Sequence, residues 1–480
     1  MRYGLIIIFT LLLVFPSSVY SQQSGQETVD QTEKAKTTAP APAVIQPQVP
    51  AKTTAPAPAV IQPQVPARTT APAPTVIQPQ VPARTTAPAP TVIQPASSEK
   101  ATELVTSFVY PGRAGAPGNI NIGRLKIHPG LDLGYTYTDN VLQRASGFEE
   151  EEHIFKITPG LDLQFPTSNH MFRLGYGLAI YDFLEMGKTE FKNSGMGSLE
   201  FNFPVGLFLR LSDNIAERVF PEFVQEQVGI TEYWENKGYA EIGYKMTRKW
   251  SASGRYINQA LRFQKPFSAA DRDINSGGAA LDLKLMTRLS LFGEAWYGHV
   301  GFDETGVRDR NADFVQGFFG LGGRYPKTNF TLKVGYENRT FRNPTVYPGT
   351  DEMVASLELE EKPNPLLSLS VNGSRSVHES VYESIPYYIS TGGGANLTWN
   401  ALGELSLGAD FGYFFLRYPY ANYAGVRRED RLFRISPNLR IDVTRWLRAQ
   451  VGYTWHNRSS NINGAEYKEN RIAASLNAVL

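Results

Sequence analysis

Residues 128–141 read HPGLDLGYTYTDNV, and residues 156–165, KITPGLDLQF, repeat the first half of that run. Leu131, Leu133, Tyr135 and Tyr137 alternate with Asp132, Gly134, Thr136 and Thr138, and the pattern breaks at Asp139 and Asn140. A period of two puts the apolar residues on one face of an extended strand and the polar ones on the other. The fold is decided by what each face touches.

The alternation continues to the last residue. It is plain in FRLGYGLAI (172–180), NFTLKVGYENR (329–339), LLSLSVNGS (366–374), ELSLGADFGYFF (404–415) and LRAQVGYTW (447–455). Such runs outlast the strands of soluble sheets, usually about 5 or 6 residues, and suit a tilted transmembrane strand of about 9 to 11. Pairs of runs meet at short breaks such as 166–169, 247–249, 326–329 and 444–445; longer polar stretches such as 139–152, 213–236, 303–311, 342–351, 376–386 and 418–429 separate the pairs. Short turn, long loop, short turn is the asymmetry of an outer-membrane barrel. Phe165, Phe203, Trp250, Trp399 and Trp446 lie beside the short breaks, and Tyr137, Tyr413 and Trp455 approach the long ones, as two interfacial belts would. The expected fold is all-β, a closed antiparallel transmembrane β-barrel of about 18 strands, within a range of about 16 to 18, spanning residues 123–480. A soluble β-sandwich or propeller is the competing reading. On the barrel reading, Leu131, Leu133, Tyr135 and Tyr137 meet lipid, Asp139 starts an outer loop holding Glu149 to Glu152, and the chain returns through Phe155, Ile157, Leu161, Leu163 and Phe165.

The N-terminal part reads differently. Met1-Arg2, an apolar run over 4–15 and a small, polar 16–21 make residues 1–21 a secretory signal peptide, its apolar run being too short for a span of about 20 residues. Residues 22–34 are expected to be disordered. Over 35–95 the unit KTTAPAPAVIQPQVPA recurs, headed by Lys36, Lys52, Arg68 and Arg84. Proline at this density removes backbone donors and favours polyproline II, so the segment is a tether reaching on the order of 190 Å when extended. Residues 96–122 link it to the barrel. A Pro-rich periplasmic spacer and a segment that docks a periplasmic partner or the cell wall are both open readings.

Composition narrows the function. With 47 basic and 46 acidic residues the chain is nearly neutral, which excludes a dedicated nucleic-acid binder; with no cysteine it has neither disulfides nor thiolate sites. The histidines are scattered, with no His-Glu-x-x-His and no calcium loop, so no metal or cofactor is called and no catalytic residue is assigned. His378 and Ser380, with Glu379 and Glu383 near them, are the one arrangement of the serine-base kind, and a polar loop base is the plainer reading.

The stretches GRLKIHPGLDLGYTYTDNV (123–141), KITPGLDLQF (156–165) and VGYTWHNRSSNINGAEYKENRIAASL (451–476) resemble outer-membrane β-barrel (porin type 2) proteins, often encoded with exopolysaccharide or capsule synthesis genes. The resemblance covers roughly 120–480 and implies an outer-membrane barrel with a part in polysaccharide export. The Pro-rich tether is no part of that family's pattern. Leu480 also departs from it, because such barrels commonly end in an aromatic residue read by the assembly machinery.

Phasing each strand by its apolar residues turns Lys156, Arg173, Arg210, Arg255, Lys284, Lys333, Arg339, Arg434, Arg440, Arg448 and Arg458 inward as pore-lining candidates. Asp162, Glu241, Asp282, Glu294, Glu337, Glu358, Glu360, Asp410 and Asp442 share that phase. A slight cationic excess favours acidic sugars; cross-strand pairing that only stiffens the wall competes with it. The expected function is a non-enzymatic pore for passage or export of polysaccharide or other polar solutes. The alternative is a plugged barrel anchoring the tether. The setting is the outer membrane of a Gram-negative bacterium, with its lipid and lipopolysaccharide. Expected partners are the outer-membrane assembly machinery and periplasmic export components or cell wall.

Overall fold

A computed structural model describes residues 120–219, 230–265, 267–303, 309–421 and 425–479. The signal peptide, the repeats and most of the linker lie outside the described residues, as does Leu480.

The described residues form one antiparallel sheet closed on itself. Its strands are β1 (Ile120–Ile122), β2 (Leu125–Thr138), β3 (Glu152–Pro166), β4 (His170–Phe183), β5 (Lys188–Asn202), β6 (Leu207–Arg218), β7 (Tyr233–Tyr244), β8 (Trp250–Phe263), β9 (Arg272–Met286) and β10 (Leu289–Phe302). They continue as β11 (Ala312–Arg324), β12 (Thr328–Phe341), β13 (Thr350–Asn364), β14 (Leu367–Glu379), β15 (Tyr387–Asn400), β16 (Leu405–Ala421), β17 (Arg427–Asp442), β18 (Leu447–Ser460) and β19 (Tyr467–Val479). Each of β2 to β19 pairs with its sequence neighbours, and β19 pairs with β2 from Arg471↔Thr138 to Val479↔Gly130, so the barrel has 18 strands. The short β1 pairs with β2 from Ile120↔Ile127 to Ile122↔Leu125. It therefore borders β2 just below the point where β19 stops, covering an edge that would otherwise face lipid with unpaired donors.

Exposure shows which solvent the outside faces. On β3, Phe155 (47%), Ile157 (46%), Leu161 and Phe165 are exposed, while the alternate Ile154, Thr158 and Asp162 are buried. The opening stretch on β2 does the same: Leu131 and Leu133 are exposed, His128 and Thr138 buried. A water-soluble sandwich has the opposite arrangement. Apolar side chains outside and polar ones inside belong to a sheet surrounded by hydrocarbon, where closure satisfies every ladder donor.

The short turns fall where the alternation broke, for example at 167–169, 287–288 and 365–366. The long loops are shorter than expected, because the ladder runs past the apolar belt in polar sequence. β6 extends to Arg218, β7 starts at Tyr233, β14 reaches Glu379 and β16 reaches Ala421. The outer edge of the belt carries a repeated contact. The hydroxyls of Tyr176, Tyr256, Tyr297 and Tyr453 donate to Asn193 (2.7 Å), Asn275 (2.7 Å), Asp313 (3.2 Å) and Asn470 (2.6 Å) on the following strand. Each acceptor stands two residues above the tyrosine's cross-strand neighbour. An apolar ring with a polar tip suits this interface.

Inside, large aromatics lie flat over glycines of adjacent strands. A Cβ at Gly243 would come within 2.1 Å of the Phe208 ring, and one at Gly278 within 2.4 Å of Trp296. Here glycine makes room for the inner packing.

Candidate functional site

The inward face is a ladder of ion pairs. Arg173 Nε donates to Asp162 Oδ1 (2.6 Å). On the next strands Arg210 Nη1 donates to Glu241 Oε2 (2.8 Å), Arg255 Nε to Glu241 Oε1 (3.0 Å), Arg255 Nη1 to Glu294 Oε1 (3.0 Å) and Lys333 Nζ to Glu294 Oε2 (3.2 Å). Charge of alternating sign thus runs unbroken from β6 to β12. Arg339, also on β12, bridges Glu337 and Glu379 at 2.9 Å each. Across the seam side, Arg448 Nε donates to Asp442 (2.7 Å), and Arg458 and Arg428 share Asp430. Removing one partner of such a buried pair typically costs about 3–5 kcal/mol, because the other charge stays behind without compensation.

The remaining candidates are placed as follows. Lys156 lies 5.5 Å above the Tyr181 ring. Arg440 Nη2 donates to Ser406 Oγ (3.2 Å). Lys284 is exposed at the lower end of β9. Arg434 is half-buried on β17 opposite Gly412 and His456. All eleven stand on the strand face opposite the exposed apolar belt.

Sequence reasoning missed the outer mouth. Pairing between β13 and β14 ends at Ala355↔Arg375, whereas β14 and β15 stay paired up to Glu379↔Tyr387. The top of this hairpin is buried on both faces: Tyr387, Tyr388, Ile389 and Ser390 are four consecutive buried residues in one strand. By register, Val377, Tyr387 and Ile389 share the lipid-facing phase of the wall, yet they pack with Phe341 and Tyr347. Phe341 has the inward phase of β12, so the hairpin top has left the wall and tucked inside it.

Its tip, residues 380–386, forms a strap across the mouth. At one end Val381 packs with Tyr233, Leu261, Phe263 and Ala270 of β7, β8 and the 3-10 turn Ser268–Ala270. At the other, Ile385 and Tyr388 pack with Leu416, Tyr418 and Leu432 of β16 and β17. In a ring of 18 strands, β7 and β16 stand half a turn apart, so the strap touches opposite walls. Arg310 ties it down from the β10–β11 loop: Nη1 donates to the carbonyls of Ser380 (3.1 Å) and Tyr382 (3.3 Å), Nη2 to the carbonyl of Ala269, and the guanidinium sits 4.0 Å from the Phe302 ring centroid. Tyr347 from the β12–β13 loop donates to the carbonyl of Glu383 (3.0 Å).

The loops around the mouth are charged. Burial opposes ionisation of Glu232, but Lys188 Nζ (2.7 Å) and Lys192 Nζ (2.6 Å) hold its carboxyl below the usual carboxylate range. Burial pushes the Asp271 carboxyl up even though Oδ1 accepts from the Phe263 amide at 2.6 Å. Of the acidic run, Glu149 to Glu151 are exposed, but Glu152 is fully buried, accepting from the amides of Glu185 (2.9 Å) and Met186 (3.1 Å) in the neighbouring turn. The serine-base grouping does not assemble around Ser380. Its hydroxyl accepts from the Tyr382 amide (3.1 Å), His378 bonds Ser376 (2.7 Å), and Glu379 is held by Arg339.

Among solved structures the chain is similar to Pseudomonas aeruginosa OpdK crystallised with vanillate, at a TM-score of 0.46 and 11% identity over 74% of this chain and 99% of that one. It is similar also to Acinetobacter baumannii OccAB3, at a TM-score of 0.43 and 11% identity over 75% of this chain and 100% of that one. No curated protein matches the sequence. Residues 244–479, which contain β8 to β19, match the family model described as "Putative beta-barrel porin 2". With those strands completed by β2 to β7 into one lipid-facing ring, the chain is a closed 18-strand β-barrel of the outer-membrane kind, similar over 244–479 to that porin family.

Proposed function

We propose that the barrel is a pore for polar solutes with a preference for anions, and that its cargo is acidic polysaccharide leaving the cell. One observation carries the preference. The inward faces of β17, β18 and β19 bring together Arg428, Arg434, Arg440, Arg448, Arg458 and Arg471 against Asp430, Asp442 and Glu469. Surplus cations along one wall bias passage towards anions. The polysaccharide part rests on the resemblance carried by 123–141, 156–165 and 451–476. In this reading the eleven cations named from the sequence line the path, and the ion-pair ladder keeps them at fixed positions.

The test is conductance of the full chain in planar bilayers. Discrete open levels with a reversal potential shifted towards anions, and block by added acidic polysaccharide, are the expected result. The strap favours a second reading, a barrel closed at its mouth that anchors the N-terminal segment. A silent membrane that starts to conduct only when the strap is removed supports that one.

A further inference from the structure

At the short-turn end of the barrel, cation faces cation three times. The β8–β9 ladder continues past Trp250↔Leu283 and sets Lys249 opposite Lys284, whose amide donates to the Lys249 carbonyl (2.8 Å). Past Leu289↔Gly323, Arg288 stands opposite Arg324, joined by the same backbone bond (2.8 Å). Past Thr328↔Glu361, Lys327 stands opposite Lys362 (2.6 Å). Like-charge pairs thus follow one another along β8 to β13, at the end that barrels of this kind turn to the periplasm.

Parity points the pairs inward. Leu285, Phe319 and Leu357 are exposed on the outward faces of β9, β11 and β13, which gives Lys284, Arg324 and Lys362 the inward phase. Residues directly opposite share a face, so Lys249, Arg288 and Lys327 follow them. All six residues are exposed, as the entrance of a lumen requires. Like charges directly opposite are destabilising, and little acid offsets them. Glu360 pairs with Lys362 (2.5 Å), and Asp282 lies on the same face one step deeper than Lys284. Six cations less these two carboxylates leave a net charge of +4. Lys327 Nζ donates to the Pro363 carbonyl (2.6 Å); among the described residues Lys249, Lys284, Arg288 and Lys327 have no ion pair. Elsewhere on the rim, opposed charges differ in sign, as at Asp442↔Arg448, or charge is absent, as in the turns 167–169 and 203–206.

We propose that this row is a docking site for an extended polyanion, a glycan chain with repeated carboxylates, at the periplasmic entrance to the lumen. Adjacent strands lie about 4.8 Å apart, so cations on six successive strands make a row of roughly 24 Å. A small anion covers one pair, whereas a chain with charge repeated along its length meets the whole row. The facing sets phospholipid aside, because headgroups lie outside the wall, beyond Trp250 and Leu285, while the row faces the lumen. Cations gathered at the mouth of a low-dielectric cleft raise the local concentration of an anionic ligand. The inference rests on the reading of the cargo as acidic polysaccharide leaving the cell, and it adds where that chain is first held.

Biolayer interferometry on the full chain in phosphatidylcholine nanodiscs tests it, with oligogalacturonate as the probe and its methyl ester as the uncharged counterpart. Wild type is expected to bind the acid and not the ester, and to bind less tightly as salt rises. Arg288→Gln with Arg324→Gln weakens binding roughly tenfold, and adding Lys249→Gln and Lys284→Gln weakens it roughly a hundredfold. Arg445→Gln, on the β17–β18 turn outside the row, leaves binding unchanged. Each variant of the row relieves like-charge repulsion, so the barrel is expected to be at least as stable as wild type, which heat-modifiable gel mobility reports. Equal binding of acid and ester, or full retention by the four-residue variant, overturns the proposal. Loss of binding when phosphatidylglycerol replaces part of the phosphatidylcholine does so too, since it marks a lipid site. Binding is read without conduction: a barrel that binds the acid through the row yet passes no ions upholds the dock and removes the pore, while an anion-selective pore that ignores the polyanion removes the dock alone.

Discussion

Val451 is half exposed (50%) on the outward face of β18, between Gln450 and Gly452, which have the inward phase. A charge placed there meets hydrocarbon, so Val451→Lys is expected to lower the stability of the folded barrel by about 2–4 kcal/mol near the midplane, read by denaturant titration in bilayers. Gln450→Lys, pointing at the polar interior, is expected to cost far less. Equal losses at the two sites contradict the facing. Inside, Glu241 serves both Arg210 and Arg255, so Glu241→Ala leaves two buried guanidinium groups short of a partner. It is expected to cost about 3–5 kcal/mol by the same measurement. At this scale the sequence was readable in one respect only. Period two tells which way Arg255 points, because the face follows from residue parity. It cannot tell that Arg255 meets Glu294, since that pair requires β8 and β10 to be two strands apart at one height, which depends on register.

At the scale of elements, the strap is the chief departure from what alternation implies. The run at residues 387–390, YYIS, looks like any other strand start, and only the end of β13–β14 pairing at Ala355↔Arg375 shows that both its faces are buried. Loops come out shorter than polarity implies for a related reason: polarity marks the end of lipid contact, while backbone pairing continues beyond it, as at the top of β16. Burial of Val381, Ile385 and Tyr388, each worth about 1.5–3 kcal/mol, holds the strap in place together with the Arg310 donors. Arg310→Ala removes those donors and is expected to raise single-channel conductance or open probability while leaving the barrel assembled. Since the chain has no cysteine, Ala270→Cys with Val381→Cys gives a clean lock between residues of one packed cluster. Oxidation is expected to hold conductance at its low level and reduction to release it. An oxidised pair that conducts like the reduced one removes the strap from any role in the pore.

For the molecule as a whole, parity fixes topology. With 18 strands the barrel's two ends fall on the same side, and β2 begins where the short turns lie. Barrels of this kind keep short turns in the periplasm and long loops outside. The N-terminal segment before β1 is therefore expected in the periplasm, and the β2–β3 loop with Glu149 to Glu151 outside the cell. Gly147 has a positive φ of 91° and a side open to added atoms, in an exposed loop braced by the Arg144–Glu150 ion pair, so an insertion after it disturbs little. An epitope there is expected to be labelled on intact cells, and one near Pro66 only after the outer membrane is permeabilised. Labelling at Pro66 on intact cells overturns the orientation.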